Sequence, residues 1–266
     1  GEVVGKYPDS IFVPHALYGK GWSQQRLDDN KAAIETFTAL IDGHPDHRLT
    51  PSAINGRGIS RQRTGDYAGG IADFTTYLEK NPESEDRSDV RYNLGLCQGG
   101  AKKYADAAKT YQQILKDDPQ YAAADKVLYE LGWALKSQEK HAEAVPHFEQ
   151  LAKDHPDSSL AAESLYHVGE DRYDNEKFAE AAASYAASKA KAGNNDLGEK
   201  ATYKLGWANY RLKKYDESLK AFSDQVKTYP KGKLQGDALF MQGECNFKLG
   251  NYAAALPALE QALAAG

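Results

Sequence analysis

The sequence predicts an all-α solenoid of about seven 37-residue helix–turn–helix repeats, and three observations predict it. Gly21, Gly58, Gly95, Gly132, Gly169, Gly206 and Gly243 are spaced 37 residues apart without insertion or deletion. A fixed period of roughly 20–50 residues is the mark of a repeat array. Other landmarks keep the same frame: a mostly aromatic slot nine residues after the glycine, a small slot twelve after and a large apolar slot sixteen after. Apolar residues also recur at three-, four- and seven-residue spacings on both sides of a polar turn, the pattern of two amphipathic helices per repeat. The repeats are read as 10–46, 47–83, 84–120, 121–157, 158–194, 195–231 and 232–266 of a single array over 1–266, with 1–9 as the tail of a truncated preceding repeat.

Each element follows from its residues. Helix A carries the frame glycine; Pro14 and Pro51 fall at its expected first turn, where a missing N–H costs no helical hydrogen bond. Helix B starts near the slot held by Asn30, Tyr67, Tyr104, His141, Phe178, Tyr215 and Tyr252. Asp66 and Asn251 stand where an N-cap is needed, and Glu143, Glu180 and Glu217 near the first turn, which favours a carboxylate. The frame glycine and the small slot (Ala33, Gly70, Ala107, Ala144, Ala181, Ser218, Ala255) let the two helices approach. Phe37, Phe74, Tyr111, Phe148, Tyr185, Phe222 and Leu259 fill the space between neighbours. Helix B then ends at Pro45, Pro82, Pro119, Pro156 or Pro230, with Gly193 standing in that slot once. Pro146 and Pro257 fall inside helix B, where a lost hydrogen bond predicts a slight kink. Gly99 and Gly100 end the third helix A as either a soft joint or a dent without side chains.

Composition narrows the function. The 27% charged and 41% hydrophobic residues are those of a soluble protein, and no apolar run approaches the ~20 residues of a membrane-spanning helix. A net charge of −5 argues against a broad nucleic-acid surface. Cys97 and Cys245 share one slot four repeats apart, too distant for a disulfide in a stacked array. Both are read as free thiols at a small-residue position.

The frame of Leu-Gly, Tyr, Ala, Phe and Pro, clearest in 203–222 (YKLGWANYRLKKYDESLKAF) and 129–148 (YELGWALKSQEKHAEAVPHF), resembles the tetratricopeptide repeat. The usual unit has 34 residues; the extra three lie between the proline and the next helix A. With KYPDS (6–10) and KDHPDSSLAAESLYHVG (153–169), the chain is similar to the bacterial cell-envelope subfamily, which includes the outer-membrane assembly lipoprotein and the Tol–Pal coordinator. The resemblance implies a right-handed superhelix whose concave face is lined by helix A. It places groove residues six and three before the frame glycine and one, four and five after it.

In those slots fall the candidate partner-binding residues: Tyr18, Trp22, Arg26, Arg63, Tyr92, Tyr129, Trp133, Tyr166, Glu170, Tyr203, Trp207, Tyr210, Arg211 and Phe240. All three tryptophans share one slot. For them two readings stand, partner anchors or packing between repeats; the tyrosine ladder reads first as packing. Groove charge alternates, with Arg26, Arg63, Lys126, Lys136, Lys200 and Arg211 against Glu163, Glu170, Asp174, Asp237 and Glu244. This fits either cross-repeat pairing or a groove for a segment of mixed charge.

No zinc-protease, phosphate-loop or serine-hydrolase motif occurs. The expected function is therefore a non-catalytic scaffold that binds a peptide or partner protein in its groove, with no cofactor, metal, nucleic acid or membrane insertion. The alternatives are a structural spacer or self-assembly module and a regulatory array of a larger protein. The apolar C-terminal stretch AAALPALEQALAAG and the truncated repeat at 1–9 suggest a piece of a longer array, with self-association through terminal repeats as one use. The envelope resemblance points to the periplasm, with the cytoplasm as the other compartment open to such a chain.

Overall fold

The computed structural model describes residues 10–265, the side chain of Ala265 excepted, so the tail expected at 1–9 lies outside the described residues. Fourteen α-helices and no strand occur among them. They form two compact units that meet between residues 139 and 140, so that the boundary falls between helices A and B of the fourth predicted repeat. The first unit holds α1 (Val13–Arg26), α2 (Asn30–Gly43), α3 (Thr50–Thr64), α4 (Tyr67–Lys80), α5 (Arg87–Gly100), α6 (Tyr104–Asp117) and α7 (Ala124–Lys136). The second holds α8 (His141–Asp154), α9 (Ala161–Asp174), α10 (Phe178–Ala192), α11 (Asp196–Arg211), α12 (Tyr215–Thr228), α13 (Gln235–Lys248) and α14 (Tyr252–Ala265).

The 37-residue frame sets the helix ends. Every helix B begins at the predicted slot, from Asn30 to Tyr252. Helix A begins in step as well, except that α11 starts at Asp196, two residues early. There Gly193 replaces the proline, takes φ +67°, and leaves Asn195 to cap the helix by accepting from the Gly198 N–H at 3.0 Å. Asp66 caps α4 through the Gly69 N–H at 2.9 Å, and Asp29 caps α2 through the Ala32 N–H at 3.2 Å. Pro14 and Pro51 sit in the first turns of α1 and α3, while Pro146 and Pro257 lie inside α8 and α14.

A second feature recurs at every A–B turn. Asp28, Gly65, Lys102, Glu139, Glu176, Lys213 and Gly250, each seven residues after the frame glycine, have φ between 58° and 82°. The turn needs one left-handed residue to reverse the chain, a conformation that costs a side-chain-bearing residue roughly 1–2 kcal/mol. Five repeats accept that cost.

Close packing of A on B depends on the frame glycine. A Cβ on Gly95 would sit 2.5 Å from Tyr111 Cε1, and one on Gly206 2.6 Å from Phe222 Cζ. Phe37, Phe74, Tyr111, Tyr185 and Phe222 are at most 2% exposed, and each ring removed from water contributes ~1.5–3 kcal/mol. Polar bridges add register within the units. Gln25 Nε2 donates to Gly56 O at 3.0 Å and Ser60 Oγ at 2.8 Å, and buried Asp73 accepts from Arg57 and Arg61 at 2.7–3.0 Å. Cys97 and Cys245 are buried free thiols, and burial raises the Cys97 pKa to about 12.

Candidate partner-binding surfaces

The predicted aromatic residues form clusters on the A helices of each unit. In the first unit Tyr18 meets Trp22 edge-on at 6.2 Å and Trp22 meets Phe37 at 5.7 Å; Tyr129 meets Trp133 in the same way at 6.3 Å. Tyr92 lies 6.1 Å from Tyr111, and burial pushes its phenol up to about 12. In the second unit Tyr166 packs on Tyr185 at 5.6 Å and Tyr203 on Phe222 at 5.8 Å, while Trp207 touches Tyr203, Tyr210 and Phe222. Tyr18, Trp22, Tyr92, Tyr129, Trp133, Tyr166, Tyr203, Trp207 and Tyr210 are partly buried, whereas Tyr111 and Tyr185 beneath them are fully buried. Phe240 is more open, at 51% exposure.

The charged candidates divide. Arg26 is exposed at the end of α1, and Arg63 reaches the Gln25 carbonyl at 3.4 Å. Glu170 is taken up internally: it accepts from Tyr185 Oη at 2.7 Å and pairs with Lys204 Nζ at 2.9 Å. Arg211 lies over the Phe178 ring at 4.3 Å, and Tyr210 Oη donates to Glu244 at 2.9 Å. Part of the alternating charge is therefore cross-repeat bonding, as one of the two sequence readings has it.

Two clefts open beside these residues. In the second unit Tyr166 and Tyr203 wall a cavity of about 480 Å³ with Lys200, Lys204, Lys231 and Lys233, against the carboxylates Asp196 and Glu199. Glu199 also accepts from the Leu234 N–H at 3.1 Å, fixing the loop that brings the last two lysines. In the first unit a cavity of about 200 Å³ lies among the end of α5, the start of α6 and α7, lined by Gly99, Gly100, Tyr104, Tyr111, Glu130 and Trp133. A Cβ on Gly99 would meet nothing within 4 Å, so the space beside it is open, which fits the dent of the two sequence readings. Gly100, in contrast, lies against the Tyr67 ring.

Sequence reasoning missed Glu130, Lys204, Lys231 and Lys233. The signal for Glu130 lay in the frame: two residues before the glycine, the repeats read Gly19, Gly56, Asn93, Glu130, His167, Lys204 and Met241, with a single acid. Lys231 and Lys233 come from the connecting loop, where no periodicity marks them. Among the described residues no group of three or more His, Cys, Asp or Glu could hold a metal, and no helix is long and apolar enough to cross a membrane.

Family models described as tetratricopeptide repeat match residues 55–124, 129–196, 168–233 and 203–266, and a further one matches 15–47. No curated protein sequence matches the chain. Among solved structures, a tetratricopeptide repeat protein from Parabacteroides merdae is 13% identical, with a TM-score of 0.62 over 96% of this chain and 93% of that one. The C-terminal part of a repeat-containing protein from Cytophaga hutchinsonii is 16% identical, with a TM-score of 0.71 over 93% and 94%. YrrB, described as a tetratricopeptide repeat protein with an unusual peptide-binding site, is 16% identical, with a TM-score of 0.58 over 77% and 98%. At these identities the likeness is one of fold. The family matches take in well over half of the sequence, and the chain belongs to the tetratricopeptide repeat family.

Proposed function

We propose that this tetratricopeptide repeat protein is a non-catalytic scaffold that binds an extended peptide segment, or a partner protein presenting one, on the helix-A faces of its repeats. The repeat is a protein–protein interaction scaffold; the peptide, the groove residues and the absence of catalysis are the proposal. The observation that carries it is the cavity of about 480 Å³ walled by Tyr166 and Tyr203 and rimmed by four lysines. Its size is that of a ligand site of ~300–1,000 Å³, with two tyrosine rings set among charged side chains of both signs. Aromatic anchors with a polar rim are the usual distribution of binding energy at such surfaces. The peptide-binding site of YrrB supports the reading by fold analogy. A bacterial envelope setting, on the periplasmic side, is proposed on the sequence resemblance alone.

Peptides selected from a random-sequence library against the whole chain supply the test. Tyr166→Ala with Tyr203→Ala should abolish their binding while helical content is unchanged, since a truncated anchor of this kind costs ~2 kcal/mol or more, about thirtyfold each. Retained affinity would move the site away from this cavity.

A second reading, self-assembly, is favoured by one observation. On α14 Tyr252, Leu256 and Leu263 are 64%, 60% and 85% exposed, next to Phe247 at 51%. If this face joins copies of the chain, molar mass in solution rises with protein concentration; a constant monomer mass rules the reading out.

A further inference from the structure

The smaller cleft has a chemistry of its own. Glu130 on α7 is partly buried, burial alone raises its pKa, and among the described residues no ion pair or side-chain hydrogen bond holds its carboxylate. Tyr104, Trp133 and the largely buried Tyr111 line the same cleft, as does Gly99, with no side chain. A carboxylate taken partly out of water without a protein partner costs stability, and this one stands beside an open cleft.

The other repeats show what usually fills this space. The slot four after the frame glycine, held here by Gly99, carries Gln25 in the first repeat, and its amide crosses to Gly56 and Ser60 on the next helix A. In the fifth repeat the slot carries Tyr173. Lys204, which occupies Glu130's slot on the following helix A, places its ammonium 5.6 Å from the centre of the Tyr173 ring and 2.9 Å from Glu170. At that junction the chain closes the gap with its own cation set between an aromatic face and a carboxylate. At the α5–α6–α7 junction Lys136 Nζ lies over the Trp133 ring at 5.2 Å, but no cation is among the lining residues and, among the described residues, none pairs with Glu130, so the carboxylate side of the arrangement is left open.

We propose that this cleft is a subsite for a cationic side chain, that of an arginine, supplied by the bound peptide. A volume of about 200 Å³ is below the ~300 Å³ of a small-molecule site and suits one inserted side chain. A guanidinium stacks on aromatic faces and bonds a carboxylate through paired N–H groups. The net charge of −5 also attracts a basic segment over a longer range. The source of the arginine rests on the peptide-binding reading above; the pocket's preference for a guanidinium does not.

The test uses the whole chain, labelled at the tryptophan indole, titrated with Nα-acetyl-arginine methylamide and with the neutral isostere Nα-acetyl-citrulline methylamide. Arginine should give a saturable shift of the Trp133 indole signal, with citrulline about tenfold weaker or worse, as loss of a charge-assisted contact requires. Glu130→Gln should erase that preference, and Gly99→Leu should block both probes. Equal binding of the two probes, no saturable shift, or an arginine preference that survives Glu130→Gln overturns the proposal. If peptides bind but the arginine probe shows no preference, this inference fails and the scaffold reading stands. If the probe binds and no peptide does, the reverse holds.

Discussion

Two glycines four residues apart on α5 should respond oppositely to the same added methyl group. Gly95→Ala and Gly99→Ala each add one Cβ to one helix, and alanine is the better helix former by ~0.8–1 kcal/mol in a helix interior. At Gly95 the new atom would stand 2.5, 2.7 and 3.1 Å from three ring atoms of Tyr111, a side chain only 2% exposed with no room to turn. Overpacking of this kind costs ~1–3 kcal/mol. With three ring atoms overlapped, the cost belongs in the upper part of that range, which leaves a net loss of ~1–2 kcal/mol after the propensity gain. At Gly99 a Cβ meets nothing within 4 Å, so only the propensity gain remains, reduced because the helix ends at Gly100. Urea melts followed by circular dichroism, with thermal melts beside them, read both signs. For a chain of this size each kcal/mol moves Tm by roughly 2–4 °C. A Gly95→Ala chain as stable as the parent would refute the argument that ring clearance sets the frame glycine. A destabilised Gly99→Ala chain would mean that the dent is filled.

The left-handed turn slot gives another paired test. Lys213→Gly should raise stability by up to ~1 kcal/mol, the relief of roughly 1–2 kcal/mol of backbone strain less the entropy of a freer unfolded chain. Gly65→Ala should lower it by a similar amount, since nothing crowds that Cβ and only φ +82° opposes it; melts in which both changes are neutral would remove the turn from the energetics. Glu130 makes a pH prediction. Its folded pKa is raised by burial, so the native state holds the proton more tightly than the unfolded chain, and stability falls as pH rises from the ordinary carboxylate value of 4.5 through the folded pKa. Glu130→Gln should therefore stabilise the protein near neutral pH, with the gain fading in acid where the parent carboxyl is already protonated; urea midpoints across a pH series check it, and a gain that persists in acid would point to packing instead of charge.

How far the sequence could be read depends on what repeats do to information. The start of every helix B, the ring slot and the glycine slot were legible because one packing requirement recurs seven times and leaves a mark at a fixed spacing. The left-handed turn residue recurs just as strictly, yet its identities are Asp, Gly, Lys, Glu, Glu, Lys and Gly. Backbone conformation there is imposed by the helices on either side, and an exposed residue can absorb the strain without a compositional trace. The early start of α11 shows the opposite case, where a single change of proline to Gly193 lets local capping by Asn195 move a boundary.

The site follows from the same reasoning. A slot average reports packing, since packing is common to all repeats; recognition has to reside where one repeat departs from the average. The tryptophans departed visibly, and the structure shows their rings already half-committed to Phe37 and Phe222. Glu130 departed less visibly, because a lone charge on an amphipathic helix reads as solvated surface. Its meaning depends on a second departure 31 residues earlier, Gly99, which leaves the neighbouring space empty. Neither residue alone distinguishes this junction from the others. The two together create an unpaired carboxylate beside open volume, whereas Lys204 with Tyr173 and Glu170 shows the same junction filled. Restoring the filled state in place, by Leu96→Glu and Gly99→Tyr with Glu130→Lys, which supplies the equivalents of Glu170, Tyr173 and Lys204, should therefore raise stability and remove the arginine preference together; gaining one without the other would separate the packing defect from the recognition site.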